Sequence, residues 1–311
     1  MVINNAKKND SKVVEHSLMS PLRYPGGKAG LSHFLQDMIR LNGLSGCDYY
    51  EPFAGGAGAA LRLIADGCVQ KIILNDADPC IYAFWVSVLT ETERFVDRIR
   101  TVPLTINEWH KQQEVHHNPS SYSTFAIGFS SFYLNRCNRS GILKGAGPIG
   151  GSKQEGDWKL SARFNRETLI KRIQIIGEHK DAIYISNYDA IDFLKKTLPR
   201  GSGRKNVLVY ADPPYVEAGK RLYYNSYKRA DHELLANYLL QQRFLKCVIS
   251  YDNTEFIRGL YSQYRQLLFS LRYSLQKKGK GFELLITPRH LKVPKSICIG
   301  GNSILFKSLS N

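Results

Sequence analysis

The residues best suited to chemistry are Asp212-Pro213-Pro214-Tyr215, which directly follow an apolar run from Val207 to Ala211. Such a run is typical of a buried parallel strand, and open α/β sheets bind ligands outside the carboxyl ends of their strands. Two prolines remove two backbone donors and keep the chain extended, so the carbonyls of Asp212 and Pro213 stay available as acceptors. The motif therefore brings a carboxylate, a fixed carbonyl and a phenol ring to one point.

These groups suit a planar ring that carries an exocyclic amine, and adenine is such a ring. The amine lone pair is conjugated into the ring and is hardly nucleophilic. Hydrogen bonds from the amine to Asp212 and to the Pro213 carbonyl would favour its pyramidal, nucleophilic form, while Tyr215 stacks on the base. An ordinary strand-ending turn is the alternative that the motif alone leaves open.

A second motif has the order strand, glycine loop, helix. The segment from Tyr49 to Pro52 leads into Phe53-Ala54-Gly55-Gly56-Ala57-Gly58, where glycines let a ligand lie against the backbone at a helix amino terminus. A strict G-x-G-x-x-G is absent. The next predicted strand, Lys71 to Leu74, is followed by Asn75-Asp76, about 20 residues past the loop. An acidic residue at this position commonly accepts hydrogen bonds from the ribose hydroxyl groups of a nucleotide. The glycine loop and Asp76 together predict a ligand that contains adenosine. The alternative is that the loop is purely structural and Asp76 is an acidic residue in a turn beside it.

Nearer the amino terminus, Tyr24-Pro25-Gly26-Gly27-Lys28 combines two glycines with an aromatic ring and a cation. Such a turn could hold a flat, partly anionic ligand. It lacks the length and spacing of a phosphate-binding P-loop, so a plain turn before the helix predicted from Leu31 to Leu41 is also open.

Composition indicates the class of partner. The chain has 43 Lys and Arg against 27 Asp and Glu, a formal charge of +16 that attracts polyanions, although it could serve solubility alone. No apolar stretch approaches the ~18 residues that span a membrane, and the amino terminus lacks an apolar secretion segment, so we expect a cytoplasmic protein. The six cysteines include no C-x-x-C pair, which favours buried reduced thiols over a metal site.

Four motifs, in their order along the chain, resemble those of the Dam-type (alpha-group) family of DNA adenine-N6 methyltransferases. They are Tyr24 to Lys28, Glu51 to Gly58, Asn75-Asp76 and Asp212 to Tyr215. The resemblance extends over most of the chain from Pro21 onward. It implies methyl transfer from S-adenosylmethionine to the N6 amine of an adenine flipped out of double-stranded DNA, without a metal. It assigns catalysis to Asp212, Pro213, Pro214 and Tyr215. It assigns cofactor binding to Tyr24, Lys28, Phe53, Ala54, Gly55, Gly56, Asp76, Asp189 and Asp212.

Two of these assignments have structural alternatives. Asp189 matches the family segment whose acid meets the adenine amine of the cofactor, and it is equally suited to cap the helix predicted from Ala190 to Leu198. The loop Tyr223-Tyr224-Asn225-Ser226-Tyr227 could close over an extruded base, while a core or hairpin role for its tyrosines is as well supported.

DNA recognition is expected from residues 93–177, where the alternation of strands and helices becomes irregular. The centre of this segment, Asn135 to Gly151, predicts a projecting hairpin or loop that carries Arg and Asn, the residue types that read base edges. The family's Gly-x-Phe-Asn-x-Pro-x-Gly pattern is kept only loosely, so individual base contacts are not assigned. A basic hairpin tip at 277–281 suits phosphates. The candidate DNA-binding residues are Arg136, Asn138, Arg139, Lys144, Lys277, Lys278 and Lys280.

The expected fold class is α/β: a class I S-adenosylmethionine-dependent methyltransferase, Rossmann-like, with a mostly parallel seven-stranded sheet and helices on both faces. Residues 1–92 and 178–311 would form the catalytic domain, and 93–177 the inserted target-recognition domain. Cys247 to Tyr251, Tyr264 to Tyr273 and Phe282 to Thr287 are predicted to be the late strands. Residues 1–20 lack periodicity and are predicted to be a flexible tail.

Three other functions stay open at this point: an RNA or guanine-amine methyltransferase of the same fold, a non-catalytic DNA-binding module, and a nicotinamide oxidoreductase. The intact Asp-Pro-Pro-Tyr motif argues against the second, and an oxidoreductase would not need that motif after a late strand. The sequence does not give the recognised site, the oligomeric state, or whether a cognate restriction nuclease is a partner.

Overall fold

A computed structural model describes residues 20–23, 31–216, 227–272, 280–299 and 302–308. The predicted amino-terminal tail therefore lies almost wholly outside the described residues. Contacts divide the chain into two compact units. The sheet unit comprises Tyr24–Tyr82 and Ala182–Asn311, and the helical unit comprises Ala83–Asp181 with the residues up to Arg23.

The main sheet has eight strands in the order β10-β6-β7-β5-β4-β1-β2-β3. Five neighbours, β3, β2, β1, β4 and β5, are parallel, and β7 is antiparallel to both β5 and β6. This confirms the mostly parallel seven-stranded sheet; β10 is a two-residue edge strand that the sequence did not predict. A separate hairpin pairs β8 with β9. The strands are β1 Cys47–Glu51, β2 Val69–Asn75, β3 Ile183–Ser186, β4 Val207–Ala211, β5 Cys247–Asp252, β6 Arg265–Arg272, β7 Lys280–Thr287, β8 Ser296–Ile299, β9 Asn302–Leu305 and β10 Lys307–Ser308.

The α-helices within the described residues are α1 Ser32–Leu41, α2 Gly58–Ala65, α3 Pro79–Thr90, α4 Thr92–Thr101, α5 Ile106–His117, α6 Thr124–Cys137, α7 Arg166–Glu178, α8 Ala190–Thr197, α9 Arg229–Gln241 and α10 Glu255–Leu260. Short 3-10 helices occupy Pro119–Ser121, Arg139–Gly141, Leu160–Arg163, Lys180–Ala182 and Gly201–Asn206. No described helix has the length and apolar character needed to cross a membrane.

β4 lies at the centre of the sheet unit and has the bounds that its apolar run predicts. All five of its residues are buried, as expected for a parallel strand with neighbours on both sides. The core around β4 and β5 also includes apolar side chains of three helices, among them Phe193 of α8, Leu235 of α9 and Ile257 of α10. This packing fixes the strand that ends at Asp212.

The helical unit has an aromatic core. The Phe95 ring lies 5.3 Å from those of Phe129 and Phe132, and the Phe84 ring stacks on Phe132 at 6.1 Å. This unit begins at Ala83, within α3 and ten residues before the predicted boundary; the apolar sequence of α3 has no break at that point. The assignment of residues 93–177 to target recognition stays a prediction.

Two helical glycines provide a matched test of packing. A Cβ at Gly128 of α6 would lie 2.4 Å from the Ala83 carbonyl oxygen, whereas one at Gly259 of α10 would meet nothing within 4 Å. We expect Gly128→Ala to destabilise the helical unit by about 1–3 kcal/mol through overpacking. Gly259→Ala should stabilise its helix by about 0.5–1 kcal/mol.

Amide hydrogen exchange in α6 and α10 under mild urea measures the two effects separately. Unchanged protection of α6 in Gly128→Ala would contradict the packing described here.

Candidate active site

Predicted site residues follow four parallel strands at one edge of the sheet unit. β1, β2, β3 and β4 run parallel, and the residues that follow them are Pro52-Phe53, Asp76, Asn187 to Asp189, and Asp212. The carboxyl ends of parallel strands lie at the same edge, which is where ligands bind in this class of sheet. We call this the active edge.

Asn75, the last residue of β2, connects three of these strand ends. Its side chain is fully buried, and its amide nitrogen donates to the carbonyl oxygens of Pro52 at 3.1 Å and Tyr188 at 3.0 Å. Its amide oxygen accepts from the Ser186 hydroxyl at 3.0 Å and from the Tyr188 N–H at 2.9 Å. One side chain therefore sets the relative position of the segments after β1, β2 and β3.

Asp76 determines how the glycine loop meets β2. One of its carboxylate oxygens accepts the Gly55 N–H at 2.8 Å, and the other accepts the Asp78 N–H at 2.9 Å. Burial, and secondly the nearby charge of Asp78, raise the pKa of Asp76 to about 7. Because only backbone donors bond its oxygens in the described structure, this carboxylate can accept further hydroxyl donors, and such donors would favour its charged form.

The glycine loop takes a sharp path into α2. Gly55 and Ala57 both have left-handed φ values, 47° and 45°, and the Ala54 N–H donates to the Asn75 carbonyl oxygen at 2.8 Å. Ala57 is the N-cap of α2 and provides no side-chain cap. The loop backbone thus passes beside Asp76 at a helix amino terminus, as the sequence predicts for a nucleotide-type ligand.

Asp212 is held by residues that the sequence did not single out. The Ser250 hydroxyl donates to its Oδ1 at 2.6 Å, and the Tyr210 hydroxyl lies 2.9 Å from the Ser250 oxygen. Burial, and secondly the charge of Asp212, raise the pKa of Tyr210 well above its ordinary value, so this phenol keeps its proton and donates to Ser250. The chain Tyr210–Ser250–Asp212 fixes the rotation of the catalytic candidate.

The rest of the Asp-Pro-Pro-Tyr motif is partly enclosed. Pro213 and Pro214 are buried, Tyr215 is half-buried, and the Tyr215 ring lies 6.4 Å from that of Tyr251. The following N–H, of Val216, donates to Asp252 Oδ1 at 3.2 Å. The motif is therefore anchored at its start by Ser250 and at its end by Asp252, two residues of β5.

Comparison of the sequence with models of known protein families agrees with this arrangement of the active edge. Residues 24–275 match the D12 class N6 adenine-specific DNA methyltransferase family. The protein belongs to this family. It is thus an enzyme that methylates adenine N6 in DNA, and the family implies a methyl donor. A comparison with curated proteins gives no match.

Other predicted residues of the methyltransferase have structural roles at the active edge. Asp189 is the N-cap of α8, since its Oδ1 accepts the N–H groups of Ile191 at 2.9 Å and Asp192 at 3.4 Å. Tyr227, the last residue of the tyrosine loop, has its ring 5.6 Å from Phe53 and 5.3 Å from His232. These contacts place aromatic rings beside the glycine loop.

Several predicted residues cannot be placed. Tyr24, Lys28, Lys277 and Lys278 lie outside the described residues, as do residues 223–226 of the tyrosine loop. Lys280 begins β7. Their predicted roles therefore stay predictions.

In the helical unit, the structure separates the four candidate DNA-binding residues into two pairs. Asn138 is buried, accepts the Trp109 indole N–H at 2.7 Å and donates to the Ile142 carbonyl at 2.8 Å. Arg136 donates to the carbonyl oxygens of Arg163 at 2.7 Å and Pro21 at 3.4 Å. These two residues bond within the helical unit, and their predicted contact with DNA stays a prediction.

Arg139 and Lys144 are exposed and lie in a loop that an isolated bridge between Asn138 and Pro148 closes. The Arg139 Nε donates to the Pro148 carbonyl at 3.5 Å, at the limit of a hydrogen bond. We keep this pair as the candidate DNA-reading residues of the methyltransferase.

The Tyr210–Ser250–Asp212 chain leads to a graded prediction. Ser250→Ala should lower the single-turnover rate about 10- to 100-fold, since a hydrogen bond to a charged group contributes about 1.5–3 kcal/mol. Methyl-donor affinity should stay within about twofold.

Tyr210→Phe should give a smaller loss in the same direction, because Ser250 keeps its bond to Asp212. Ser262→Ala, at an exposed serine of the same unit, is the control. A wild-type rate for Ser250→Ala would show that this hydroxyl does not position Asp212.

Proposed function

We propose that the enzyme uses S-adenosylmethionine and acts on an adenine flipped out of duplex DNA, with Asp212 as its central catalytic residue. The observation that carries the proposal is the fixed Asp212 carboxylate on the same edge as Asp76 and the glycine loop. A target amine has to leave the base stack to reach a site of this kind.

The residues around Asp76 suit the cofactor. Its carboxylate is half-buried, already oriented by Gly55 and Asp78, and short of stabilising donors, as its raised pKa indicates. A ribose diol supplies two hydroxyl donors at such an acid. Phe53, Ala54, Gly55 and Gly56 would lie along the cofactor, and Asp189 would accept from its adenine amine. When bound, S-adenosylmethionine supplies an electrophilic methyl group.

Asp212 and the motif after it would prepare the target amine. Hydrogen bonds from the amine to Asp212 and to the Pro213 carbonyl withdraw its lone pair from conjugation and aim it at the methyl donor. As the new bond forms, the amine becomes positively charged, and the oriented carboxylate stabilises that charge. The donor's bond to the methyl group would break as the new N–C bond forms. Because the aminopurine is weakly basic, its proton would pass to Asp212 or to water only after attack has begun. Tyr215 would stack on the flipped base.

The family assignment favours this reaction over the alternatives. RNA and guanine-amine methylation, a non-catalytic module and a nicotinamide oxidoreductase all lack support from the matched family, which is adenine-specific and acts on DNA. Arg139 and Lys144 are the residues we propose to contact the target sequence.

Asp212→Asn tests the catalytic assignment with little change of shape. It removes the charge that stabilises the transition state, so we expect the single-turnover rate to fall by at least about 1000-fold while S-adenosylmethionine still binds. Radiolabelled methyl transfer and calorimetry measure the two quantities. A variant that keeps near-normal turnover would remove Asp212 from the mechanism.

The raised pKa of Asp76 predicts a pH dependence. The ribose diol binds the charged carboxylate, whereas the ligand-free group is protonated below its pKa of about 7. The affinity for S-adenosylhomocysteine should therefore fall as the pH drops below about 7 and level off above it. Asp76→Asn should bind weakly at every pH, with a loss of about 1–3 kcal/mol.

The same raised pKa predicts that the free energy of unfolding of the ligand-free protein falls as the pH rises, whereas the affinity for the ligand increases. A carboxyl group whose folded pKa is raised contributes most below its unfolded pKa of about 4, and this contribution is lost as the pH rises through about 7. Asp76→Asn should lose less stability over that range.

Asp78→Asn is the control for the binding measurement. It removes a charge that raises the pKa of Asp76, so the midpoint of the pH dependence of binding should move to lower pH. Wild-type affinity that is flat from pH 5.5 to 8 would contradict this assignment.

A further inference from the structure

At the edge of the sheet unit opposite the active edge, the starts of β1 and β2 carry Asp48 and Asp66, whereas the part formed by β4, β5, β6 and β7 is strongly basic. This basic part comprises residues 199–206 and 242–246, which precede β4 and β5, residues 263–265 at the start of β6, and residues 288–295 after the antiparallel β7. These 24 residues include nine Lys or Arg and no Asp or Glu, in a chain with 43 Lys and Arg among 311 residues. We call these four segments the basic edge. Its cations are Arg200, Arg204, Lys205, Arg243, Lys246, Arg265, Arg289, Lys292 and Lys295.

The backbone that carries these charges is fixed. Arg265 donates to the carbonyl oxygens of Leu291 at 2.7 Å and Arg289 at 3.2 Å, which holds the segment after β7 against β6. The Asn42 side chain makes two hydrogen bonds to the backbone of Lys292. It donates to the Lys292 carbonyl at 2.8 Å and accepts the Lys292 N–H at 2.9 Å. A polyanion would thus meet a pre-formed surface, which reduces the ordering cost of binding.

The cations of this surface are not neutralised by neighbouring acids. Within the described part of the chain, none of the nine forms an ion pair. The hydrogen bonds of Arg204, Lys246, Arg265 and Arg289 go to backbone carbonyl or side-chain amide oxygens. Arg265, Arg289, Lys292 and Lys295, together with His290, line a cleft of about 450 Å³. An uncompensated basic surface with this geometry suits a row of phosphates.

Distance separates this surface from the substrate. A six-residue strand such as β5 is about 20 Å long, twice the screening length of about 10 Å at 0.1 M salt. The basic edge therefore adds little to the attraction of a duplex at the active edge. A single short duplex held at the active edge would have to bend to reach the basic edge as well, and bending is costly for DNA much shorter than its persistence length of about 150 bp.

From this charge, rigidity and separation we propose that the basic edge binds the phosphate backbone of a second DNA segment while the active edge holds the target. The inference rests on the proposed function, because DNA is the polyanion that the enzyme already handles. One chain would then bind two short duplexes, or two distant segments of one long DNA, and could transfer between them without release.

Lys292→Gln/Lys295→Gln tests the proposal. Both side chains are exposed, and we place neither in the catalytic machinery. The matched control is Arg94→Gln/Arg100→Gln in α4, which removes the same charge at two exposed arginines that are already paired with Glu91 and Asp97. The probe is a 20-bp duplex of mixed sequence at 50–150 mM salt, and native mass spectrometry counts duplexes per chain.

We expect wild-type protein and the α4 control to form complexes of one chain with two duplexes. The double Lys variant should bind the second duplex at least about tenfold more weakly, and the log–log salt slope for that duplex should shift by about 2. Single-turnover methylation of a short duplex that contains the target should stay within about twofold between wild-type protein and the double Lys variant. Failure of wild-type protein to methylate such DNA would instead count against the proposed function.

Three results would overturn the inference. The first is a one-to-one complex for wild-type protein, and the second is equal binding of the second duplex by the double Lys variant. The third is binding of wild-type protein to vesicles containing anionic lipid, lost in the double Lys variant, without any second duplex. That result would make a membrane surface the occupant.

Discussion

The active edge depends on the four hydrogen bonds of one buried amide, Asn75. Its side chain is inaccessible to water, so each bond that it loses would leave a polar group unsatisfied at a cost of about 1–3 kcal/mol. Both its donors and its acceptor oxygen are used, and the partners belong to the segments after β1 and β3. Asp76 is the next residue, and its carboxylate accepts the Gly55 N–H. The position of the glycine loop therefore also depends on Asn75. Replacing the amide by a carboxylate of equal size would set oxygen against the carbonyls of Pro52 and Tyr188.

A second constraint acts on the catalytic side and has a different origin. The parallel pairing of β4 with β5 matches Tyr210 with Val248 and Ala211 with Ile249, so Asp212 and Ser250 come next on their strands. Strand register, rather than a local turn, therefore brings the serine to the carboxylate. The same strand supplies Asp252, which holds the backbone after Tyr215. Rigid elements thus orient the groups that would act on the amine, which is the condition for electrostatic catalysis.

The sequence predicted those parts of the site that follow from the order of strands. β4 has its predicted bounds, and Asp76, the glycine loop and Asp212 meet because parallel strands end at one edge. Ser250 and Tyr210 were missed because one is an ordinary small residue within a strand and the other was counted with the apolar core. The sequence does not give the register that pairs Ala211 with Ile249, and it is this register that brings Ser250 to Asp212. Arg136 and Asn138 make hydrogen bonds within their own unit, and residue type alone did not predict these bonds.

The chemical identity of the methylated product tests the proposed reaction most directly. Unmodified DNA is incubated with the protein and S-adenosylmethionine and digested to nucleosides, which mass spectrometry identifies, and the methylated positions are mapped. We predict N6-methyladenine confined to one short sequence context. Methylated cytosine, N2-methylguanine, or methylation of RNA in place of DNA would contradict it.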